Sequence, residues 1–323
     1  MREPSRDPEA ILRRVEWTVL RRLDGVLHGN HRTLFRGMGL DLADLREYQL
    51  HDDVRHIDWN VTARVQTPHV REFHEDREIT AWFLLDVSPS VDFGSEAVKK
   101  EAVLVDFVAA LARLLSRNGN RVGAILYGAG MQLPIPPGAG RTHVLRILSR
   151  ILHRERAGRG ARGTAPAGPP PGMTDLGAFL RGAAPVLRRR SVVFVVSDFV
   201  SLPGWGPPLL SLARRHEVLA VRLFDPLELA IPDLGLVVME DAETGEQLLV
   251  DTHDEAFRAR FHAAARAREE AVRATLAQAG VDALELSTDG DLAESIVRFA
   301  DLRKSRSQFA ARGGLPTHLE TRS

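Results

Sequence analysis

The stretch Trp82-Phe83-Leu84-Leu85-Asp86-Val87-Ser88-Pro89-Ser90 decides how this chain is read. Its apolar start, within a strand expected over Ile79 to Leu85, suits a sheet buried on both faces, which is the parallel kind covered by helices. Directly after it, Asp86, Ser88 and Ser90 put one carboxylate and two hydroxyls in a single loop. In parallel α/β sheets ligands bind outside the carboxyl ends of strands, so such a loop is a candidate site. Two other places carry oxygen donors of the same kind. Ser197-Asp198 follows the run Val192-Val193-Phe194-Val195-Val196, and Gly172-Met173-Thr174-Asp175 precedes a helix starting near Leu176. Serine, threonine and aspartate also cap helices, which explains each of these residues singly but their joint placement less well.

Outward from that loop, apolar strands alternate with helices of 3.6-residue period. Further strands are expected over Arg121 to Tyr127, Ser191 to Ser197, Glu217 to Phe224 and Ala283 to Leu286. Helices are expected near Ser95 to Arg117, Arg141 to His153, Thr174 to Leu187, Pro207 to Arg215, Asp254 to Ala279 and Asp289 to Arg303, and an amphipathic one over Pro8 to His28. The fold class is therefore α/β: a doubly wound, mostly parallel sheet with an N-terminal helical and extended segment and an inserted β-hairpin around Gly235 to Val250. The expected division is 1–78 as an N-terminal segment packed on the core, 79–303 as the α/β domain and 304–323 as a disordered tail. Residues Ala157 to Gly172, rich in Gly, Ala, Pro and Arg, are expected to form a mobile loop.

Composition narrows the function classes. The 323 residues carry 43 basic and 43 acidic side chains, so no global charge draws the chain to nucleic acid or anionic lipid. There is no cysteine, which removes disulfides, thiolate zinc sites and cysteine nucleophiles. The first residues lack the apolar core of a signal peptide, and the run Val103 to Leu115 is too short and too charged for the roughly 20 apolar residues of a membrane span. A soluble, cytoplasmic protein is expected. Lysine occurs only at Lys99, Lys100 and Lys304, which reads as codon bias without functional weight. Charge is uneven along the chain: residues 141–190 hold 11 Arg against Glu155 and Asp175, while residues 225–255 hold ten acids and no Lys or Arg. The basic region either steers acidic partners or is balanced by the acidic one. No aromatic interleaving supports nucleic-acid binding.

Magnesium and manganese take roughly six oxygen ligands. Asp86, Ser88, Ser90, Thr174 and Asp198 offer five, directly or through water, and leave one position open. With most direct ligands neutral, the ion would attract a carboxylate from outside. The series D-x-S-x-S, downstream Thr, strand-terminal Asp resembles the metal-ion-dependent adhesion site (MIDAS) of von Willebrand factor A-type (vWA) domains. That resemblance implies Mg2+ or Mn2+ held by Ser88, Ser90 and Thr174, with Asp86 and Asp198 close by or bridging through water.

Upstream, Arg46-Glu47-Tyr48, Asp52-Asp53-Val54-Arg55-His56-Ile57-Asp58-Trp59, Thr62-Ala63-Arg64 and Val70-Arg71-Glu72-Phe73 resemble the signature of the bacterial family called domain of unknown function 58. His51 and His56 stand where that signature has Gly and Arg. The resemblance spans about Leu45 to Leu223 and implies a partner, a MoxR-type AAA+ ATPase or its client protein, with no established catalysis. Membrane-spanning helices of longer members are not carried over.

Other signals are weighed against this. Histidines 51, 56, 69 and 74 form no H-E-x-x-H and are explained by a charged loop. Arg55, Asp58, Trp59, Arg64 and Arg71 read as a salt-bridge and packing network rather than a catalytic cluster. A phosphoester hydrolase using the same cation is the rival, but Ser88 stands where a phosphatase of the haloacid dehalogenase type has its acid, and no G-x-S-x-G or P-loop is present. A metal-independent vWA scaffold is a third possibility. The expectation is a non-catalytic, metal-dependent protein-binding module.

Overall fold

A computed structural model describes residues 7–23, 45–48, 62, 67–71, 79–94, 98–128, 130–153, 174–240 and 246–311. Two compact units are distinguished, one of residues 1–25 and 80–299 and the other of 26–79 and 300–323. Within the second, β1 (Leu45–Glu47) pairs antiparallel with β2 (His69–Arg71). The loop expected over 157–172, the end of the first helix beyond residue 23, and Arg55, Asp58, Trp59, Arg64, His51, His56 and His74 lie outside the described residues.

The first unit is built on six strands: β3 (Thr80–Asp86), β4 (Arg121–Tyr127), β5 (Ile135–Gly138), β6 (Val192–Ser197), β7 (Glu217–Phe224) and β10 (Asp282–Ser287), in the order β10-β7-β6-β3-β4-β5. All pair in parallel except β5, which lies antiparallel on the edge beside β4. This is the expected doubly wound, mostly parallel sheet. The unexpected β5 contains Pro136 and Pro137, residues without a backbone N–H and therefore tolerated on an edge. Between β7 and β10 the expected hairpin forms a separate two-stranded sheet, β8 (Leu236–Glu240) against β9 (Gln247–Asp251).

Side chains alternate across the central strands and bury both faces. On one face Trp82, Leu84, Val193 and Val195 pack with Leu176, Phe179 and Leu180 of α4 (Leu176–Ala183), Leu209 and Leu212 of α5 (Gly206–Ala213), and Val272 and Leu276 of α6 (Glu255–Gln278). Gly123 admits the Trp82 ring there, since a Cβ at this position would lie 2.8 Å from it. On the other face Phe83 stacks on Phe194 with centroids 5.0 Å apart, and Phe107 of α2 (Lys100–Arg117) meets both edge-on. The helix α3 (Arg141–Leu152) packs beside α2, and α7 (Leu292–Ala311) closes the described chain.

The N-terminal helix α1 (Pro8–Val15) starts at Asp7, whose carboxylate caps two backbone N–H groups, and runs into a π-helical turn over Glu16–Leu20. It buries Ile11, Leu12, Val15 and Leu20. Its polar residues are tied to α2 and α3: Arg14 to Asp106 at 2.6 and 2.9 Å, and Glu16 to Arg113 at 2.6 Å and Arg141 at 2.9 Å. Among the described residues no helix is long and apolar enough to cross a membrane.

Candidate metal centre at the switch point

Strand order reverses between β3 and β6: from β3 the chain moves to β4 on one side, and from β6 to β7 on the other. Outside the carboxyl ends of such a neighbouring pair lies the crevice where open α/β sheets bind ligands. Asp86 ends β3, and Asp198 directly follows β6. The topology thus brings the two carboxylates to one crevice across 112 positions of sequence, because β3 and β6 pair in register from Ala81–Val192 to Leu85–Val196.

Asp86 is fully buried. Its Oδ1 accepts from the Ser88 backbone N–H at 3.0 Å and its Oδ2 from the Ser197 hydroxyl at 2.7 Å. Burial, and then the negative charge of Asp198 nearby, push its carboxyl up to about 6 despite those hydrogen bonds. Asp198 has its Oδ1 held by the Val200 N–H at 3.0 Å. The next residue, Phe199, has a φ of 59°, a region bulky residues rarely enter, and is anchored by its N–H to Ser197 Oγ and by packing 5.3 Å from Trp205.

The serines are not helix caps. Ser88 precedes the 3₁₀ turn Pro89–Asp92 and makes no capping bond with its side chain. Its hydroxyl lies instead 3.1 Å from that of Ser90, and both are buried. The 3.1 Å separation is a hydrogen bond between the two hydroxyls, and it is also close to the spacing of about 3.0 Å between two cis ligands of an octahedral ion with bonds of about 2.1 Å. Nor does Thr174 cap α4: Asp175 does so, accepting from Ala178 N–H at 2.7 Å. Thr174 is buried, and its carbonyl accepts from Ser201 Oγ and Leu202 N–H, both at 2.9 Å, which ties it to the loop that carries Asp198.

Among the described residues no cluster of three or more His, Cys, Asp or Glu side chains could hold a metal ion. A cation here would depend on hydroxyls, and the residues present fit that demand: a serine pair at octahedral spacing and two buried, mutually repelling carboxylates.

Sequence reasoning missed two residues of this crevice. Lys100 is buried, with Nζ 2.8 Å from Asp198 Oδ2 and 2.7 Å from Glu228 Oε1. Burial opposes its charge, but the two carboxylates outweigh burial and hold the ammonium above its ordinary value. Glu228 ends a short 3₁₀ turn after β7 and also closes a capping box with Asp225. One local signal existed: Lys100 is the first residue of α2, a helix end that disfavours cations, in a chain with only two other lysines, Lys99 and Lys304.

The strand order defines an α/β protein with a doubly wound, mostly parallel sheet. The chain belongs to the family described as Protein of unknown function DUF58, whose model matches residues 44–271. It is 38% identical over 314 residues to Uncharacterized protein Rv1480 of Mycobacterium tuberculosis and to Uncharacterized protein Mb1516 of Mycobacterium bovis, covering 97% of this chain and 93% of each relative. Among solved structures it is similar to the conserved hypothetical protein BatB from Bacteroides thetaiotaomicron, with 13% identity, a TM-score of 0.41, and 72% of this chain and 99% of that one covered.

Proposed function

We propose that this protein is a non-catalytic, metal-dependent protein-binding module of the vWA type. The observation that carries the reading is the Ser88–Ser90 hydroxyl pair, 3.1 Å apart beside Asp86 at the crevice between β3 and β6. Ser88, Ser90 and Thr174 would hold Mg2+ or Mn2+, with Asp86 and Asp198 close by or reached through water. When bound, the ion supplies a Lewis-acidic position for a partner's carboxylate. The chain's own contribution is to fix the hydroxyls, through the Asp86–Ser88 bond, and to keep the crevice carboxylates oriented by Ser197 and Val200.

The partner proposed is a MoxR-type AAA+ ATPase or its client protein, met through an acidic side chain in the cytoplasm. This part rests on the family resemblance. Hydrolysis is disfavoured because Ser88, two residues after Asp86, cannot serve as the acid for a leaving group. The test is capture from the cell of origin with the full chain as bait, in magnesium and in EDTA, alongside the Ser88→Ala/Ser90→Ala double variant. Recovery of an AAA+ ATPase in magnesium alone, and its loss with the double variant, is expected. Equal recovery under all conditions would remove the metal from the mechanism.

A further inference from the structure

Lys100 sets a problem for a cation site, because its ammonium already holds one of the carboxylates that a divalent ion would need. The contact is buried on both sides, with Lys100 and Asp198 side chains each 1% exposed. We infer that Lys100 is a resident counter-cation that competes with the divalent ion for Asp198, so that ion binding requires the ammonium to lean toward Glu228. This inference rests on the metal reading proposed above.

Three features of the crevice support it. Without any cation, Asp86 and Asp198 would stand buried with like charges, an arrangement that is costly unless one is paired. Lys100 provides that pairing from within the chain. Asp198 cannot easily turn its other oxygen to a new ligand, because Oδ1 is held by the Val200 N–H, so ammonium and metal share the Oδ2 side. Glu228 gives Lys100 a second anion at 2.7 Å, and its own Oε2 is held at 2.9 Å by the Asp225 N–H. The ammonium can therefore release Asp198 without being left unpaired. The three residues come from the start of α2, the loop after β6 and the turn after β7, so the competition is built from three separate segments.

The electrostatic consequence has opposite signs at Lys100 and at Glu228. Removing the ammonium removes repulsion of a doubly charged ion a few ångströms away, which is worth at least about tenfold in affinity even at the high effective dielectric of protein sites. Neutralising Glu228 leaves Lys100 gripping Asp198 alone and weakens ion binding. A purely structural role would weaken binding in both cases.

The test is Mn2+ titration of the full chain, with free Mn2+ read by electron paramagnetic resonance, for the wild type, Lys100→Met and Glu228→Gln, each checked for folding by circular dichroism. At least about tenfold tighter binding in Lys100→Met and weaker binding in Glu228→Gln are expected; Mn2+ held by Lys100→Met but not by the wild type also supports the inference. Unchanged or weaker binding in Lys100→Met, or shifts of the same sign in both variants, overturns it while leaving the metal reading in place. If Lys100→Met does not fold, Glu228→Gln decides alone, and unchanged or tighter binding there overturns the inference. Mn2+ bound by none of the three overturns the metal reading, and this inference with it.

Discussion

The Ser197 hydroxyl donates to Asp86 Oδ2 at 2.7 Å, joining the carboxyl ends of β3 and β6 across 111 positions of sequence. The same hydroxyl accepts from the Phe199 N–H at 2.9 Å, so one small side chain fixes both the buried carboxylate and the strained residue after Asp198. Ser197→Ala strips two buried groups of a partner. A loss of about 1–3 kcal/mol is expected, read as a lower urea midpoint with unchanged slope.

Asp86 makes stability fall with rising pH over one window. Its carboxyl sits at about 6 in the folded protein, while an unfolded chain has it near the ordinary value of about 3.9. Between those values the folded state binds the extra proton, so its stability decreases as pH rises from about 4 to about 6 and stays reduced above. Asp86→Asn removes this contribution while keeping an acceptor for Ser88 N–H. Urea unfolding at pH 4.5 and pH 7 should therefore show the variant gaining on the wild type at the higher pH; a difference independent of pH would contradict the shift.

The N-terminal helix is fastened by charge at its polar face. Arg141 reaches Glu9 at 2.5 Å and Glu16 at 2.9 Å, and its side chain is about one-third exposed. Solvent screening keeps such a network modest, so Arg141→Ala should cost about 1 kcal/mol, and the loss should shrink in 0.5 M salt. Thermal unfolding at two salt concentrations measures both.

Phe194 is stacked on Phe83 and edge-on to Phe107. Truncation to Ala leaves a cavity between the sheet and α2 that cannot collapse easily, and about 3–5 kcal/mol should be lost. In contrast, Leu236 and Val238 on the hairpin are 69% and 62% exposed. Replacing both with Ser should change stability by no more than about 0.5 kcal/mol, as measured by the same denaturation.

The legibility of this chain follows the range of each interaction. Strands Arg121–Tyr127 and Glu217–Phe224 lie where the apolar runs place them, because a sheet buried on both faces writes its burial into consecutive residues. The helix expected from Ser95 begins only at Lys100, and the one expected over Thr174 to Leu187 shortens to Leu176–Ala183, since ends depend on caps more than on periodicity. Strand β5 left no pattern because its Pro-Pro-Gly sequence reads as a turn. The π-helical turn at Glu16–Leu20 keeps an ordinary amphipathic spacing and was equally silent. Of the crevice, Asp86, Ser88, Ser90 and Asp198 were readable because each follows an apolar strand, and Thr174 meets the loop after Asp198 through its backbone carbonyl. Lys100 was marked only by a cation at a helix start, because its partners lie 98 and 128 positions away.

The central position of β3 also orders events in time. Its first neighbour, β4, is complete by Tyr127, but its other neighbour ends at Ser197. At synthesis rates of about 5–20 residues per second, the ribosome needs roughly 5–20 s to travel from Asp86 to the residue that satisfies it. Throughout that interval one edge of β3 is open, and closing it requires joining chain ends far apart in sequence, the slow kind of contact. The crevice is therefore closed only after β4 and β5 are made, with β7 and β10 still to come, and a nascent chain halted before Ser197 would expose a hydrophobic strand edge to whatever chaperone waits at the tunnel exit.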